Sequence, residues 1–325
     1  MRAVILGGGG FLGRRLAKEL IEKGGLSRGE LVHLTLVDIA FPDNMPQDSR
    51  LECIAGDFSE EAVIKDIVQY RPDVIFHLAA IVSGEAEKNF PLGMKINFHG
   101  SLRLLEACRE LAFHPRIVFA SSCAVFGGDV SRAVQDDTSP KPRSSYGTQK
   151  AMVDLLMNDY SRRGFVDARC LRLPTIAIRP GKPNAATSSF VSGIIREPLN
   201  GKTATYPVPP ETPVWIQSPK RVIQNFIHAA NIDEEALGDD RTINLPGLTT
   251  TVQDMINSLA RLTNPEITKL ISHQPDAFLQ NIVLTWPPHF EPLKAARLGF
   301  VTDRSTDEII QTYMEEEGIV TGQTK

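Results

Sequence analysis

The sequence predicts an α/β fold: a doubly wound, mostly parallel sheet with helices on both faces and a smaller C-terminal lobe. Three observations predict it. Short apolar runs alternate with amphipathic stretches through the first half of the chain, the pattern of strand-helix-strand units. A glycine-rich turn joins the first run to the first amphipathic stretch. After Pro180 the texture changes, with frequent prolines interrupting shorter elements.

Apolar runs at residues 3–6, 32–38, 51–55, 74–78, 117–121 and 168–173 have the length of buried strands. Helical patterns occupy 12–20, 60–70, 92–111 and 146–163. In the third, Leu102, Leu105 and Cys108 recur at helical spacing while Glu106 and Arg109 fall on other faces. Further on, Pro198, Pro207, Pro209, Pro210, Pro213 and Pro219 break the chain, and helices are expected at 187–196, 219–230, 252–262 and 306–317. The expected division is a first domain at 1–179 and a lobe at 180–325, some of whose elements return to the first domain; 322–325 reads as a tail.

The bulk numbers exclude several classes. A chain of 325 residues can bury a large core. A formal net charge of -4 offers no basic footprint for nucleic acid. No apolar run reaches the about 18 residues of a membrane span. The first residues already read as a strand, which argues against a cleaved leader, so a cytoplasmic protein is expected. Cys53, Cys108, Cys123 and Cys170 lack C-x-x-C spacing and read as reduced thiols. The seven histidines show no H-E-x-x-H pair, and no metal site is expected.

The stretch GGGGFLG, from Gly7 to Gly13, admits two fingerprints, Gly7-x-x-Gly10-x-x-Gly13 and Gly8-x-Gly10-x-x-Gly13. Either lets the backbone approach a pyrophosphate at the positive end of the following helix, and an ordinary tight turn also uses such glycines. Asp38 closes the second strand 25 residues after Gly13. A carboxylate there accepts hydrogen bonds from the adenosine ribose and repels the additional phosphate of NADP, which favours NAD. Arg14 and Arg15 are expected on the helix surface. Asp57, after the third strand, is placed either to reach the adenine or to cap the next helix.

Tyr146-Gly-Thr-Gln-Lys150 sets a phenol and an ammonium at i and i+4 on one helical face. A free tyrosine, with a pKa of about 10, is a poor base at neutral pH. A neighbouring ammonium and the positive nicotinamide ring of NAD are expected to lower it, so that Tyr146 takes a proton from a substrate alcohol. Chance also produces this spacing on lysine-rich helices. Here it follows Ser122 by 24 residues, and Ser121-Ser122 end the fifth strand at the sheet's carboxyl edge. A serine hydroxyl there can hydrogen-bond the reacting oxygen.

Leu6-Gly7-x-x-Gly10-x-x-Gly13, His77-Leu78-Ala79-Ala80, Asn97-x-x-Gly100, Ser121-Ser122-x-x-Val125-Phe126-Gly127 and Tyr146-x-x-x-Lys150 occur in that order. Together they resemble the motif set of the extended short-chain dehydrogenase/reductases, which include nucleotide-sugar epimerases and dehydratases. The resemblance spans nearly the whole chain and favours the Gly7 reading. It implies a Rossmann-type domain binding NAD through Gly7, Gly10, Phe11, Leu12, Gly13, Asp38, Asp57, Leu78, Ala79, Ala80, Asn97 and Thr175. Ser122, Tyr146 and Lys150 are implied as the catalytic set, with Tyr146 and Lys150 also touching the cofactor. A homodimer paired through the helices at 92–111 and 146–163 is implied as well.

Departures from the family pattern narrow the chemistry. Dehydratases carry Asp-Glu directly after the catalytic serine or threonine; Cys123 and Ala124 stand there and cannot move protons in that way, so elimination of water is not expected. Nucleotide-sugar branches carry R-x-x-N-V-Y-G-P, whereas Arg172-Leu-Pro-Thr-Ile-Ala-Ile-Arg179-Pro180 lacks the asparagine and is one residue longer. Residues 171–201 instead resemble dehydrogenases that oxidise carbon two of a four-carbon sugar acid with NAD. Such a substrate needs a cation for its carboxylate and neutral groups for its hydroxyls. Arg179 offers the first, and Ser83, Asn184, Thr187 and Ser188, with Ser122 and Tyr146, offer the second. The plainer alternatives are a surface acid paired with Arg179, and helix capping by Asn184, Thr187 and Ser188. His77 and Cys123 read as packing. The expected function is NAD-dependent oxidation of a small sugar acid in a substrate-binding C-terminal lobe; the alternative is a nucleotide-sugar epimerase that keeps its NAD through turnover.

Overall fold

A computed structural model describes residues 1–319 apart from 129–131 and 184, so Asn184 and the tail at 322–325 lie outside the described residues. Seven strands make the central sheet: β1 (Arg2–Leu6), β2 (His33–Asp38), β3 (Leu51–Ala55), β4 (Val74–His77), β5 (Arg116–Ser122), β6 (Asp167–Leu173) and β7 (Thr242–Asn244). Every pairing among them is parallel, in the spatial order β7-β6-β5-β4-β1-β2-β3. The strand order reverses between β1 and β4, and in such sheets the crevice beyond the strand ends at this point receives the ligand.

Both faces of the sheet are covered, which explains strands that are apolar almost throughout. Alternation along β1 divides its side chains: Ala3 and Ile5 join one core, Val4 and Leu6 the other. The first core is closed by Leu16 and Leu20 of α1 (Phe11–Lys23) and by Val222 and Phe226 of α6 (Pro219–Asn231). The second is closed by Ile64 and Ile67 of α2 (Glu61–Gln69), Leu104 and Cys108 of α3 (Ser101–Leu111), and Val153 and Met157 of α4 (Ser145–Arg162). A third core lies among α5 (Ser189–Leu199), α7 (Val252–Leu262) and α8 (Thr306–Glu316), where Ile194, Met255, Leu259 and Ile310 meet.

One feature departs from the sequence reading. The segment at 92–111 is not one regular helix: Phe90–Gly93 leads into a π-helical turn, Met94–Gly100, before α3 begins. The elements after residue 180 are divided in space. β7 pairs with β6, bringing Ile243 beside Leu171, and α6 packs on the sheet, while α5, α7 and α8 build the separate core. Thr175–Ile176 already belongs to a small sheet with Pro213–Gln217 and Leu248–Thr251. It therefore leads from the end of β6 straight into that second unit.

Candidate active site

The glycine turn is built by close approach. Gly7 has φ +85°, and a Cβ there would lie 2.9 Å from the Ala79 nitrogen. A Cβ on Gly13 would fall 2.1 Å from the Gly7 carbonyl oxygen. Gly7 alone among the glycines of this turn has a positive φ, while a Cβ on Gly8 would meet that of Leu36 at 2.5 Å. The first amides of α1 receive no side-chain cap, since Gly10 occupies the N-cap position. They face the crevice as free donors at the positive helix end.

Beside them opens a cleft of about 510 Å³. Its lining includes Gly7, Gly10, Phe11, Leu12, Gly13, Asp38, Asp57, Leu78, Ala79, Ala80, Tyr146 and Lys150. Asp38 accepts from the Gly9 and Ile39 amides at 3.0 and 2.8 Å, which fixes its carboxylate at the cleft wall. Asp57 is bound to Ser59 (2.7 Å to the hydroxyl) and to Lys95 (3.1 Å). Burial opposes its ionisation, but these bonds outweigh it and hold the pKa below the usual range. The N-cap of α2 is Glu60, so Asp57 does not serve as that cap. Asn97 lies outside the lining. It is buried, accepts from the Ile81 amide at 2.8 Å, and donates to the Ile81 carbonyl at 3.0 Å and Gln149 at 2.7 Å. It braces the cleft wall from behind. Arg14 binds Asn44 and Arg15 binds Glu316, both on the surface. Glycine cradle, uncapped helix end and fixed carboxylate together fit a dinucleotide.

Ser122 ends β5, and α4 starts where Ser144 caps the Gly147 amide at 3.1 Å, which sets Tyr146 in the first turn. Gly147 allows that turn to press on β5's exit, because a Cβ there would lie 2.1 Å from the Ala124 oxygen. Ser122 lies near enough to Tyr146 to pull the pKa of its phenol down. Lys150 is 1% exposed and donates to the Ala120 carbonyl at 2.8 Å, its ammonium 5.6 Å from the Tyr146 ring centroid. Burial lowers its pKa to about 8, against the pull of Asp154.

The expected lowering of the Tyr146 pKa by Lys150 is not what the protein alone displays. Burial, with a smaller push from Cys123, raises the phenol to about 12, and the groups acting the other way are Ser122 and Arg179. The reason is geometric: the lysine ammonium is turned onto a main-chain carbonyl, and Arg179 is the cation that bears on the phenol.

A second, smaller pocket of about 130 Å³ adjoins the cleft, and Val82, Ser121, Tyr146, Leu173, Ile176 and Arg179 line both. Ser83, Ser122, Thr175 and Ser188 complete much of its polar wall. Arg179 is half-buried, 5.9 Å over the Phe11 ring, and no carboxylate pairs with it among the described residues. Ser188 stands at the N-cap of α5 but makes no capping bond. Thr187 is buried behind the wall, its hydroxyl 3.0 Å from that of Ser83 and its amide donating to the same oxygen at 3.1 Å. That bond ties the segment after β4 to the start of α5. Trp286 also lines the pocket and belongs to no motif; its sequence context, Trp-Pro-Pro, reads only as a turn.

Two groups near the site pack, as expected. Cys123 lines the pocket with its thiol pushed up to about 12 by burial, so it is no thiolate at neutral pH. His77 is wholly buried between Phe58 and Phe119 and bonds Ser101 at 2.8 Å. Burial, and secondarily Lys150, lowers its pKa from 6.5 to about 3. Between those values the unfolded chain binds a proton that the folded one refuses, so stability rises with pH across this window. At about 1.4 kcal/mol per pH unit, His77→Phe is expected to remove about 2 kcal/mol of the loss seen between pH 6.5 and 5. Urea titrations at the two values check this, and equal losses in both proteins would count against it.

Among the described residues there is no cluster of acids, histidines or cysteines that could hold a metal, and no helix long and apolar enough to cross a membrane.

The chain is 48% identical over 323 residues to a D-erythronate dehydrogenase of Cupriavidus necator, covering 98% of this chain and 99% of that one. It is 43% identical to a D-erythronate dehydrogenase of Haemophilus influenzae, covering 97% and 99%. A solved structure described as the nucleoside-diphosphate-sugar epimerase from Agrobacterium tumefaciens superposes with a TM-score of 0.93 at 42% identity, over 98% of this chain and 95% of that one. The family profile described as "Epimerase: NAD dependent epimerase/dehydratase family" matches residues 3–231. With this match and the two nearly full-length relatives, the chain belongs to the NAD dependent epimerase/dehydratase family of enzymes.

Proposed function

We propose that the protein is an NAD-dependent dehydrogenase that oxidises the carbon-2 hydroxyl of a small sugar acid, D-erythronate or a close analogue, to the 2-oxo acid. The observation that carries this is the position of Tyr146 and Arg179 at the junction between the large cleft and the small pocket. A proton acceptor and a carboxylate-binding cation there sit between a dinucleotide and a small acid. The names of the two nearly full-length relatives support the same reading.

In this reading Arg179 grips the substrate carboxylate with its planar donor pair, and Ser122 hydrogen-bonds the carbon-2 oxygen. Tyr146 receives the hydroxyl proton. Lys150 reaches the nicotinamide ribose from the cleft side. Asp38 accepts from the adenosine ribose, which favours NAD over NADP. NAD, when bound, supplies the acceptor for the carbon-2 hydrogen and places a positive ring charge near the phenol. Until the substrate carboxylate pairs with it, Arg179 adds to that charge, so in the NAD-bound protein the phenol's high pKa is opposed from two sides.

Arg179→Ala is expected to weaken acid binding by about 10–100-fold, the worth of a charge-assisted pair of bonds. Inhibition by the matching neutral polyol should barely change. Equal losses for acid and polyol would remove the carboxylate role.

The description of the Agrobacterium structure favours a second reading, a nucleotide-sugar epimerase, and the size of the pocket counts against it. Incubation with NAD and D-erythronate, L-threonate or UDP-sugars separates the two. One NADH per acid consumed is expected. Conversion of a UDP-sugar without net NADH, together with no reaction of the acids, would establish the epimerase instead.

A further inference from the structure

We infer that Trp286 is the wall that sets the length of acid the site accepts, a reading that rests on the sugar-acid assignment above. The small pocket, about 130 Å³, is a fraction of the adjoining cleft's 510 Å³. It also lies well below the about 300–1,000 Å³ of clefts that hold drug-sized ligands. So small a pocket suits an acid of a few carbons.

Almost every lining side chain comes from the stretch between Val82 and Ser188, on segments fixed by the sheet, by α4 or by the Ser83–Thr187 bond. Trp286 alone among the lining residues comes from beyond them, and it is the bulkiest. Its amide closes the helix Ala277–Val283 by donating to the Val283 carbonyl at 3.1 Å, and Pro287 and Pro288 follow. The neighbouring Thr285 carbonyl accepts from the Gly128 amide at 3.3 Å, which ties this segment to the chain just past Ser122. The indole also packs against the core formed by α5, α7 and α8. The wall is therefore held in place from two sides, yet it can be pared without touching the sheet, the α4 residues or the carboxylate-binding arginine. With the carboxylate on Arg179 and carbon two at Tyr146, added carbons must find room among the remaining lining groups. Trp286 is the bulkiest of these and the one that comes from outside the sheet, α4 and the carboxylate-binding segment.

The test compares kcat/KM for D-erythronate, D-ribonate and D-gluconate in the wild type, Trp286→Phe and Trp286→Leu, the Phe variant retaining much of the packing. Wild-type kcat/KM is expected to fall about 10-fold or more per added carbon, and the variants to raise the six-carbon to four-carbon ratio by about 10-fold or more. Equal rates for all three acids in the wild type, or parallel losses in the variants at an unchanged ratio, would overturn the wall and leave the dehydrogenase reading in place.

A binding readout keeps the two readings apart. The protein has two tryptophans, and Trp215 is stacked on Phe290 at 5.1 Å, outside the pocket lining. In Tyr146→Phe protein holding NAD, D-erythronate should change the indole emission. The change should persist after Trp215→Phe and vanish after Trp286→Phe. Such a response in a protein whose wild type oxidises none of the acids would defeat the dehydrogenase and retain the wall. No Trp286 response to any acid overturns the wall, whatever the turnover.

Discussion

Tyr146→Phe is expected to lower kcat for the sugar acid by about 10²–10⁴-fold, the usual worth of a positioned proton acceptor. NAD binding should stay within a few-fold, because the ring remains in the first turn of α4 and only the hydroxyl is removed. The phenol lies near Ser122 and Arg179, and burial keeps it protonated in the protein alone. If Tyr146 accepts the substrate proton as proposed, its pKa has to fall when NAD binds. This predicts a rate profile in which the acidic limb shifts to higher pH when Arg179 is replaced, since one of the two cations opposing burial is lost. Initial rates with the acid from pH 6 to 10, alongside NAD titration by fluorescence, measure both quantities. A Phe variant with a near-normal rate would remove Tyr146 from the proton path.

Gly13→Ala should be nearly as damaging, for a steric reason. The added carbon would stand 2.1 Å from the Gly7 oxygen and 2.8 Å from the Gly8 Cα. Both are backbone atoms of the same turn, so neither can swing aside. The turn must open, displacing the first amides of α1 that we propose hold the pyrophosphate, and losing two or three such bonds to a charged group costs about 10²-fold. We expect a loss of that order in NAD affinity, with a stability cost of about 1–3 kcal/mol from overpacking. Gly193→Ala is the control. It lies within α5 with open space where its Cβ would go, so the substitution is expected to stabilise by about 0.5–1 kcal/mol. Isothermal titration with NAD and urea denaturation report both effects; unchanged NAD affinity in Gly13→Ala would refute the turn's role.

The six strands read from the sequence agree with β1–β6 to within about a residue at most ends, because strands buried on both faces carry their own signal. The seventh was not legible. Thr242–Asn244 is three residues long, and its place beside β6 is a matter of tertiary pairing rather than local pattern. The π-helical turn at Met94–Gly100 escaped for a related reason, since periodicity over 92–111 cannot register one widened turn. In the site, glycine spacing and the Ser-Tyr-Lys order located the groups that the fold gathers. The direction of the Tyr146 shift was hidden, because adjacency at i and i+4 does not reveal where an ammonium points. Trp286 was hidden for a different reason: it reaches the pocket from a segment almost a hundred residues beyond the other lining groups.

The return of α6 and β7 to the central sheet bears on how this protein can be taken apart. A fragment ending at residue 179 would leave the β6 edge unpaired and expose the apolar face that Val222 and Phe226 cover. The remainder would lack the strand Thr175–Ile176, on which its small sheet is extended. Neither piece is a module, and transplanting the C-terminal lobe from a relative would need several splice points rather than one.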